Sequence, residues 1–302
     1  MIACPACQSG LETTPFTAPD EAYAHGILTC TQCRTAIPVY HGFPLFTEAL
    51  PLDDTRNRRW LEQQAAIWFR QDQYDQFLKE KASRGLRDSY ALFQPFNESS
   101  RALLALLEPL SRGLEPGDLI LDTWCRTGWS GEWLASLFPE QHIISIWEGN
   151  RDVLGYSGFL YWLSDGVRAN NLTILLTDPN HPLPLATDSI KLVVGLDSLH
   201  RYSHHGRLDE CLRVTRDDGV LFYPHIHLTN SEPEPFFDRG CHQISCAAWQ
   251  SILEQKCSGT PRKAFILPEV EMFDSGERFT IASQPDTHHY NGAALIAPAA
   301  WD

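Results

Sequence analysis

At 302 residues the chain is long enough for one large domain plus a small module, and its 43% hydrophobic and 21% charged content excludes an intrinsically disordered chain. Its net charge of −14 is uneven: residues 51–115 are neutral, whereas 116–230 carry −6 and 231–302 carry −5. The C-terminal half therefore repels phosphate backbones and disfavours nucleic acid as a partner, and no apolar run approaches the roughly 20 residues of a membrane helix.

The N-terminus, Met1-Ile2-Ala3-Cys4-Pro5, shows no basic segment followed by an apolar core. With no export signal visible the expected location is cytoplasmic, and nine cysteines then read as thiols or metal ligands rather than a disulfide framework. Four of them are paired by spacing, Cys4-x-x-Cys7 and Cys30-x-x-Cys33, with 22 residues between the pairs. Each pair can form a tight turn that presents two sulfurs, and zinc takes four thiolates tetrahedrally. Metal binding would supply folding energy that so short a segment cannot gain from a core. The other five, Cys125, Cys211, Cys241, Cys246 and Cys257, lack ligand spacing and read as small hydrophobes.

Residues 51–115 read as helical. Trp60, Leu61, Ala65, Trp68, Phe69, Phe77 and Leu78 recur near the helical period, giving an aromatic stripe that suits either a substrate lid or simple packing. A second helix is expected over Arg101–Arg112, capped by Ser99 or Ser100, with leucines 103, 104, 106, 107 and 110 too dense to be exposed. From 119 onward strands and helices alternate, which implies a parallel sheet with crossover helices. Strands are expected at 119–123, 143–147, 172–177, 190–196 and 219–225, and helices at 129–138, 152–169, 206–215 and 245–257. Asp217-Asp218-Gly219 reads as a tight turn leading into the fifth strand. Less regular strand-like stretches follow at 264–267, 278–282 and 293–297.

Several segments together carry a family resemblance. Leu119-Ile-Leu-Asp122-Thr-Trp124-Cys-Arg126-Thr-Gly128 follows the pattern of an apolar strand running into Asp-x-Gly-Cys-Gly-x-Gly. Ile143-Ile-Ser-Ile-Trp-Glu148 ends a second strand in an acid, and Leu175-Leu-Thr-Asp178 ends a third. Leu183-Pro-Leu-Ala-Thr-Asp-Ser-Ile-Lys-Leu-Val193, Leu199-His200 and Leu212-Arg-Val-Thr-Arg-Asp-Asp-Gly219 complete the series. Residues 98–227 thereby resemble the class I S-adenosylmethionine-dependent methyltransferases, particularly the group that includes quinone-biosynthesis enzymes. The cysteine module, with its ending Ala36-Ile37-Pro38-Val39-Tyr40-His41-Gly42-Phe43-Pro44, resembles the small zinc-ribbon proteins that activate methyltransferases.

The resemblance implies an α/β chain: a zinc-ribbon module at 1–48, a helical connecting or lid region at 49–115, and a doubly wound Rossmann-like methyltransferase domain at 116–302. It implies Cys4, Cys7, Cys30 and Cys33 as zinc ligands, and Asp122, Trp124, Arg126, Gly128, Glu148 and Asp178 as the residues around S-adenosyl-L-methionine. Physical reasons agree: an acid closing the second strand can accept both ribose hydroxyls, and one closing the third can accept the adenine amino proton. Asp122 would orient the loop and, through water, the methionine ammonium.

The first motif departs from its pattern. Its first two glycines let the backbone approach the methionine portion of the cofactor, and here Trp124 and Arg126 replace them. Three outcomes are open: the loop takes another path and still binds the cofactor, Arg126 recruits a more anionic ligand, or the Trp124 indole closes the site. The expected function is methyl transfer to a small-molecule or biosynthetic acceptor. The alternatives are a catalytically silent scaffold or regulatory partner of another protein and, against the charge, an RNA methyltransferase. Methyl transfer depends on positioning more than on acid–base groups; if a base is needed, His200, after the fourth strand, is the candidate. His225 and His227 share a face by period 2, and with His204 and His205 they raise the question of a second metal, although no carboxylate stands at ligand spacing.

Overall fold

The computed structural model describes residues 2–15, 26–40, 43–46, 98–123, 129–148, 169–177, 182–196, 198–201, 206–229, 244–270, 280–281 and 289–301. In chain order its elements are β1 (Leu11–Pro15), β2 (Gly26–Cys30), β3 (Ala36–Tyr40), β4 (Phe43–Phe46), α1 (Glu98–Ala105), α2 (Leu107–Ser111), β5 (Leu119–Asp122) and α3 (Trp129–Leu137). There follow β6 (His142–Glu148), β7 (Leu172–Thr177), β8 (Ile190–Val194), a 3-10 turn (Leu199–Arg201), α4 (Gly206–Val214) and β9 (Thr215–Thr229). The chain ends with α5 (Cys246–Cys257), β10 (Arg262–Val270), β11 (Thr280–Ile281) and β12 (His289–Pro298). These elements fall into two compact units, one from residues 1–92 and 125–187, the other from 93–124 and 188–302.

In the first unit β1, β2, β3 and β4 form an antiparallel ribbon, with Leu28 opposite Thr13 on one side and Ile37 on the other. The ribbon does not stop at its own edge. Strand β4 runs parallel to β7, pairing Leu45 with Leu176 and Phe46 with Thr177, and β7 in turn runs parallel to β6 from Ile143↔Leu172 to Glu148↔Thr177. A second tie comes from the N-terminus, where the Ala3 N–H donates to the Pro184 carbonyl at 2.9 Å beside an Ile2↔Leu185 bridge. Apolar side chains on β6 and β7 (Ile143, Ile144, Ile146, Ile174, Leu175) are buried with Trp133 and Leu134 of α3. Helix α3 approaches β6 so closely that a methyl at Gly131 would overlap Ser145 Oγ. Its C-terminal end is closed by Asn171, whose amide donates to the carbonyls of Ala135, Phe138 and Gln141 at 3.1–3.2 Å. The Ala135 carbonyl belongs to the last turn of α3, and the Phe138 and Gln141 carbonyls to the turn that leaves it.

The second unit carries β5, β8 and β9 in parallel, extended by antiparallel pairing of β9 with β12, β12 with β10 and β10 with β11. Continuous apolar runs (Ile120, Leu121; Leu192, Val193, Val194; Leu221, Phe222) are buried, as expected of parallel strands covered on both faces. Helix α4 is the crossover between β8 and β9, burying Leu208, Cys211 and Val214. Ser245 caps α5 by accepting from the Ala248 N–H at 3.1 Å, and Gln250 ties that helix to β10 through the Ala264 carbonyl and the Ile266 N–H.

The α/β class is the one expected, and β5–β8 lie within a few residues of the ranges read from sequence. Three details differ. The helix expected over 101–112 starts at Glu98, so Ser99 and Ser100 sit inside its first turn rather than capping it, and it breaks at Leu106. The break follows from Pro109, which lacks an N–H for the Ala105 carbonyl and crowds it; Leu103 and Leu110 are buried but Leu104 is 51% exposed. Asp217-Asp218-Gly219 does not precede the fifth strand but bulges out within it, between the pairs Ile190↔Thr215 and Leu192↔Val220. Lys191 holds the bulge through the Asp218 carboxylate at 2.7 Å and its carbonyl at 3.2 Å. The helices read at 152–169 and over most of 51–97 lie outside the described residues. Among the described residues no helix is long and apolar enough to cross a membrane.

Arg262 anchors the same bulge from within. Its guanidinium, 5% exposed, donates to the Thr215 and Arg216 carbonyls at 2.6 and 2.9 Å. Arg262→Met leaves those carbonyls without their shared donor, Nη2, and Arg262→Lys also forgoes the Nη1 contact to the Leu212 carbonyl at 3.5 Å and the planar fork that aims both nitrogens. Each change is expected to lower the unfolding free energy by about 2–4 kcal/mol. A urea melt within about 0.5 kcal/mol of the native chain would contradict this, being the scatter of neutral surface changes.

Candidate functional sites

Two pseudo-symmetric turns build the cysteine cluster. In the first, the Cys4 N–H donates to the Ser9 carbonyl at 2.9 Å and the Gln8 N–H to the Cys4 carbonyl at 2.8 Å. The second repeats both bonds five residues and four residues on, Cys30 to Thr35 at 2.8 Å and Arg34 to Cys30 at 3.2 Å. The residue just past each second cysteine, Gln8 and Arg34, adopts the left-handed conformation at φ 61°. Backbone N–H groups of Gln32 and Cys33 point at the Cys30 sulfur at 3.4 Å.

The two turns face each other, so that Cys4 and Cys33 sulfurs lie 3.5 Å apart and Cys7 and Cys30 sulfurs 3.4 Å apart. All four sulfurs fall within 4.8 Å of one another. Zinc–sulfur bonds of about 2.3 Å set tetrahedral edges of about 3.8 Å, so the cluster has the dimensions of a four-thiolate site. Burial pushes the Cys4 thiol up to about 12, while hydrogen bonds from the Thr35 hydroxyl and backbone draw Cys33 down to about 6. Cys7 is also drawn down, by Ser9. The sequence-predicted grouping of Cys4, Cys7, Cys30 and Cys33 is therefore assembled in full.

The second candidate lies at the carboxyl ends of β5, β8 and β9, all within one unit. Asp122 closes β5 and is fully buried. Thr123 follows, its N–H donating to the Val194 carbonyl at 3.1 Å and its hydroxyl 3.2 Å from that of Ser198. Gly195, just past β8, is packed against the Tyr223 ring and Ser198 Oγ, which a Cβ would overlap. His200, in the 3-10 turn, is fully buried. Its ring stacks on His227 with centroids 4.1 Å apart and planes at 14°.

Strand β9 supplies two histidines there by breaking its own regularity. The pairing with β12 slips between Tyr223↔Ala294 and Ile226↔Gly292, so Pro224 and His225 face a single partner residue. His225 sits in that bulge at φ 60°, a conformation costly for a residue with a Cβ. The result brings the His225 and His227 Nε2 atoms to 3.2 Å, with rings at 84°. Both residues are half-buried, unlike His200 beneath them.

The remaining predicted residues are placed unevenly. Glu148 is the last residue of β6, and nothing further is described of its side chain. Trp124, Arg126, Gly128 and Asp178 lie outside the described residues, as do His204 and His205. Sequence reasoning missed Thr123, Ser198, Gly195 and Tyr223 as neighbours of the strand ends; small polar residues after an apolar strand were the available signal. Of the four histidines raised for a second metal only His225 and His227 are described, and their arrangement with His200 is one of ring contacts. Among the described residues the four cysteines form the one group of three or more His, Cys, Asp or Glu side chains whose donor atoms converge.

No protein-family model matches the sequence, and no curated protein matches it. Solved structures similar to this chain include several methyltransferases. One is M. jannaschii TYW2 in complex with AdoMet, at 14% identity over 66% of this chain and 76% of the other, TM-score 0.39. Geranyl diphosphate methyltransferase in complex with SAM shows 12% identity over 67% and 86%, TM-score 0.46. A complex containing the Haloferax volcanii Trm112 methyltransferase activator shows 13% identity over 69% and 97%, TM-score 0.43.

Proposed function

We propose that the protein is an S-adenosylmethionine-dependent methyltransferase acting on a small-molecule or biosynthetic acceptor, with a structural zinc ion held by Cys4, Cys7, Cys30 and Cys33. The observation that carries the reading is the placing of acids at strand ends: Asp122 closes β5, Glu148 closes β6 and Asp178 follows directly on β7. Ligands of open parallel α/β sheets bind outside the carboxyl ends of the strands, where carboxylates can hold ribose hydroxyls and the adenine amino group. Asp122, Glu148 and Asp178 are assigned to the cofactor on this ground, with Trp124, Arg126 and Gly128 as the loop beside its methionine portion. The bound cofactor supplies an electrophilic sulfonium methyl group. The protein's part is to align an acceptor in line with it and exclude water. Zinc would fasten the ribbon whose last strand pairs with β7, stabilising the catalytic fold in cis.

Calorimetry of the full chain with S-adenosylhomocysteine tests the reading. Binding with a dissociation constant on the order of 1–100 μM is expected, equivalent to roughly 5–8 kcal/mol. No heat at millimolar ligand would overturn catalysis in its plain form. One specific feature favours a second reading, a silent scaffold: the bulky Trp124 and Arg126 where the backbone must approach a cofactor. If Trp124→Gly with Arg126→Gly creates binding that the native chain lacks, those side chains close the site and the scaffold reading stands.

A further inference from the structure

We propose that His225 and His227 act together as one base, a proton-sharing imidazole pair that deprotonates a hydroxyl acceptor, so that the reaction is O-methylation of a phenol, enol or similar group. This rests on the methyltransferase reading above and specifies its substrate class. His200, fully buried, serves as a positioning residue rather than as the base.

The argument begins with the 3.2 Å separation of the two Nε2 atoms. One nitrogen must donate and the other accept, so the neutral pair holds opposite tautomers. A second proton would set two N–H groups against each other at that distance, so the pair exchanges a single proton as a unit. Such an arrangement does not arise from regular strand geometry. It requires the bulge at Pro224–His225 and the left-handed backbone of His225, a conformation kept only where the surroundings enforce it. The surroundings here are the His200 ring stacked on His227 and the antiparallel partner β12, which sets Asn291 opposite His227.

Position supports the same role. The pair stands at the carboxyl end of β9, beyond Tyr223, whose ring packs on Gly195 at the end of β8. Ser198, also against Gly195, reaches Thr123 next to Asp122. The pair follows Tyr223 on β9, stacks on His200 of the 3-10 turn just after Ser198, and is half-buried. A neutral amine needs no base before it attacks a methyl group, and a thiol ionises readily by itself. A hydroxyl is the acceptor that gains most from a positioned base. In the step, the hydroxyl oxygen bonds to the sulfonium methyl carbon as the carbon–sulfur bond breaks, leaving the neutral thioether. The O–H proton passes to Nδ1 of His227, whose Nε2–H donates within the pair, so that the two Nε2 atoms still share one proton, and from there to water.

The test uses the full chain. S-adenosylhomocysteine calorimetry comes first, because absence of binding sinks the cofactor reading independently of the base. Methyl-labelled S-adenosylmethionine is then offered with phenol, catechol, an enolic β-diketone, an aliphatic alcohol, aniline and thiophenol. Transfer to a hydroxyl acceptor is expected, with His227→Gln and His225→Asn each slowing it about 100-fold or more while S-adenosylhomocysteine affinity stays within about twofold, under 0.5 kcal/mol. The double variant is expected to be no slower than the slower single one, because the pair is removed by either change. Asparagine at 225 tolerates the left-handed backbone, which keeps that variant foldable. For His200, nitrogen-15 imidazole spectra are expected to change at His227 in His200→Ala and to be largely restored in His200→Phe, which keeps a flat ring for stacking. Transfer to no hydroxyl acceptor by a cofactor-binding chain, or hydroxyl transfer that both variants leave unslowed, overturns the proposal.

Discussion

Replacing Cys30 with serine is expected to release zinc from the protein, taking it from a single ion per chain to none, and to unfold the ribbon. Cys30 and Cys4 are both fully buried, whereas Cys33 is exposed. A serine at 30 loses a thiolate ligand and also the sulfur toward which the Gln32 and Cys33 N–H groups point. Structural zinc contributes about 10–16 kcal/mol of apparent binding free energy in small modules, far more than the few buried side chains of the ribbon (Ile27, Ile37, Val39, Phe46) can supply. The melting temperature should fall by roughly 10 °C or more, since each kcal/mol is worth about 2–4 °C in a protein of this size. Elemental analysis and calorimetry of the full chain check both halves. A metal-free wild type, or a Cys30→Ser protein that melts unchanged, would refute the assignment of zinc. Cys4→Ser should behave like Cys30→Ser.

The second large effect is expected at Gly195, where alanine should destabilise the protein by about 3 kcal/mol. The added methyl would overlap the Tyr223 ring and Ser198 Oγ together. Ser198 can turn aside, but Tyr223 is fully buried and lies on a paired strand, so the ring cannot move without shifting β9 against β12. Ser198→Ala in the Gly195→Ala background should therefore recover only part of the loss. Chemical denaturation measures it; a change under about 0.5 kcal/mol would mean that the packing yields. Because β9 carries His225 and His227, the same substitution should also disturb their ring contacts, visible in imidazole spectra.

Much of this was readable from residues alone, for reasons that differ by element. Strands β5 to β8 announce themselves because apolar residues dominate each, as expected where both faces are covered. The cysteine cluster is legible because two pairs of cysteines at turn spacing leave few alternatives. Strand β9 was legible only in its centre. Its start at Thr215 depends on Lys191 and Arg262 holding the Asp217-Asp218-Gly219 excursion inside the strand, and those partners are distant in sequence. The antiparallel end, β10 to β12, alternates less cleanly and is set by mutual pairing more than by local pattern. His225 and His227 could be assigned a common face by period 2, yet the bulge that brings their nitrogens together has no marker beyond Pro224. The burial of His200 was likewise hidden, because a histidine after a strand reads equally as rim or core. Phe43–Phe46 reads as the tail of the ribbon; that it completes a second sheet depends on β7, a contact no local pattern encodes.

That pairing has a consequence for how the chain acquires its structure. Leu45 and Leu176 are joined across about 130 residues, a separation that makes loop closure slow compared with the turns of the ribbon itself. During synthesis the two cysteine turns are complete before β7 exists, so the ribbon waits with β4 unclaimed on one side. When β7 emerges beside β6, its outer edge is a row of open hydrogen-bonding groups that would otherwise invite other chains. The waiting ribbon takes that edge. On this view the N-terminal module works as an intramolecular chaperone for one strand, and its loss should show first as aggregation of newly made protein.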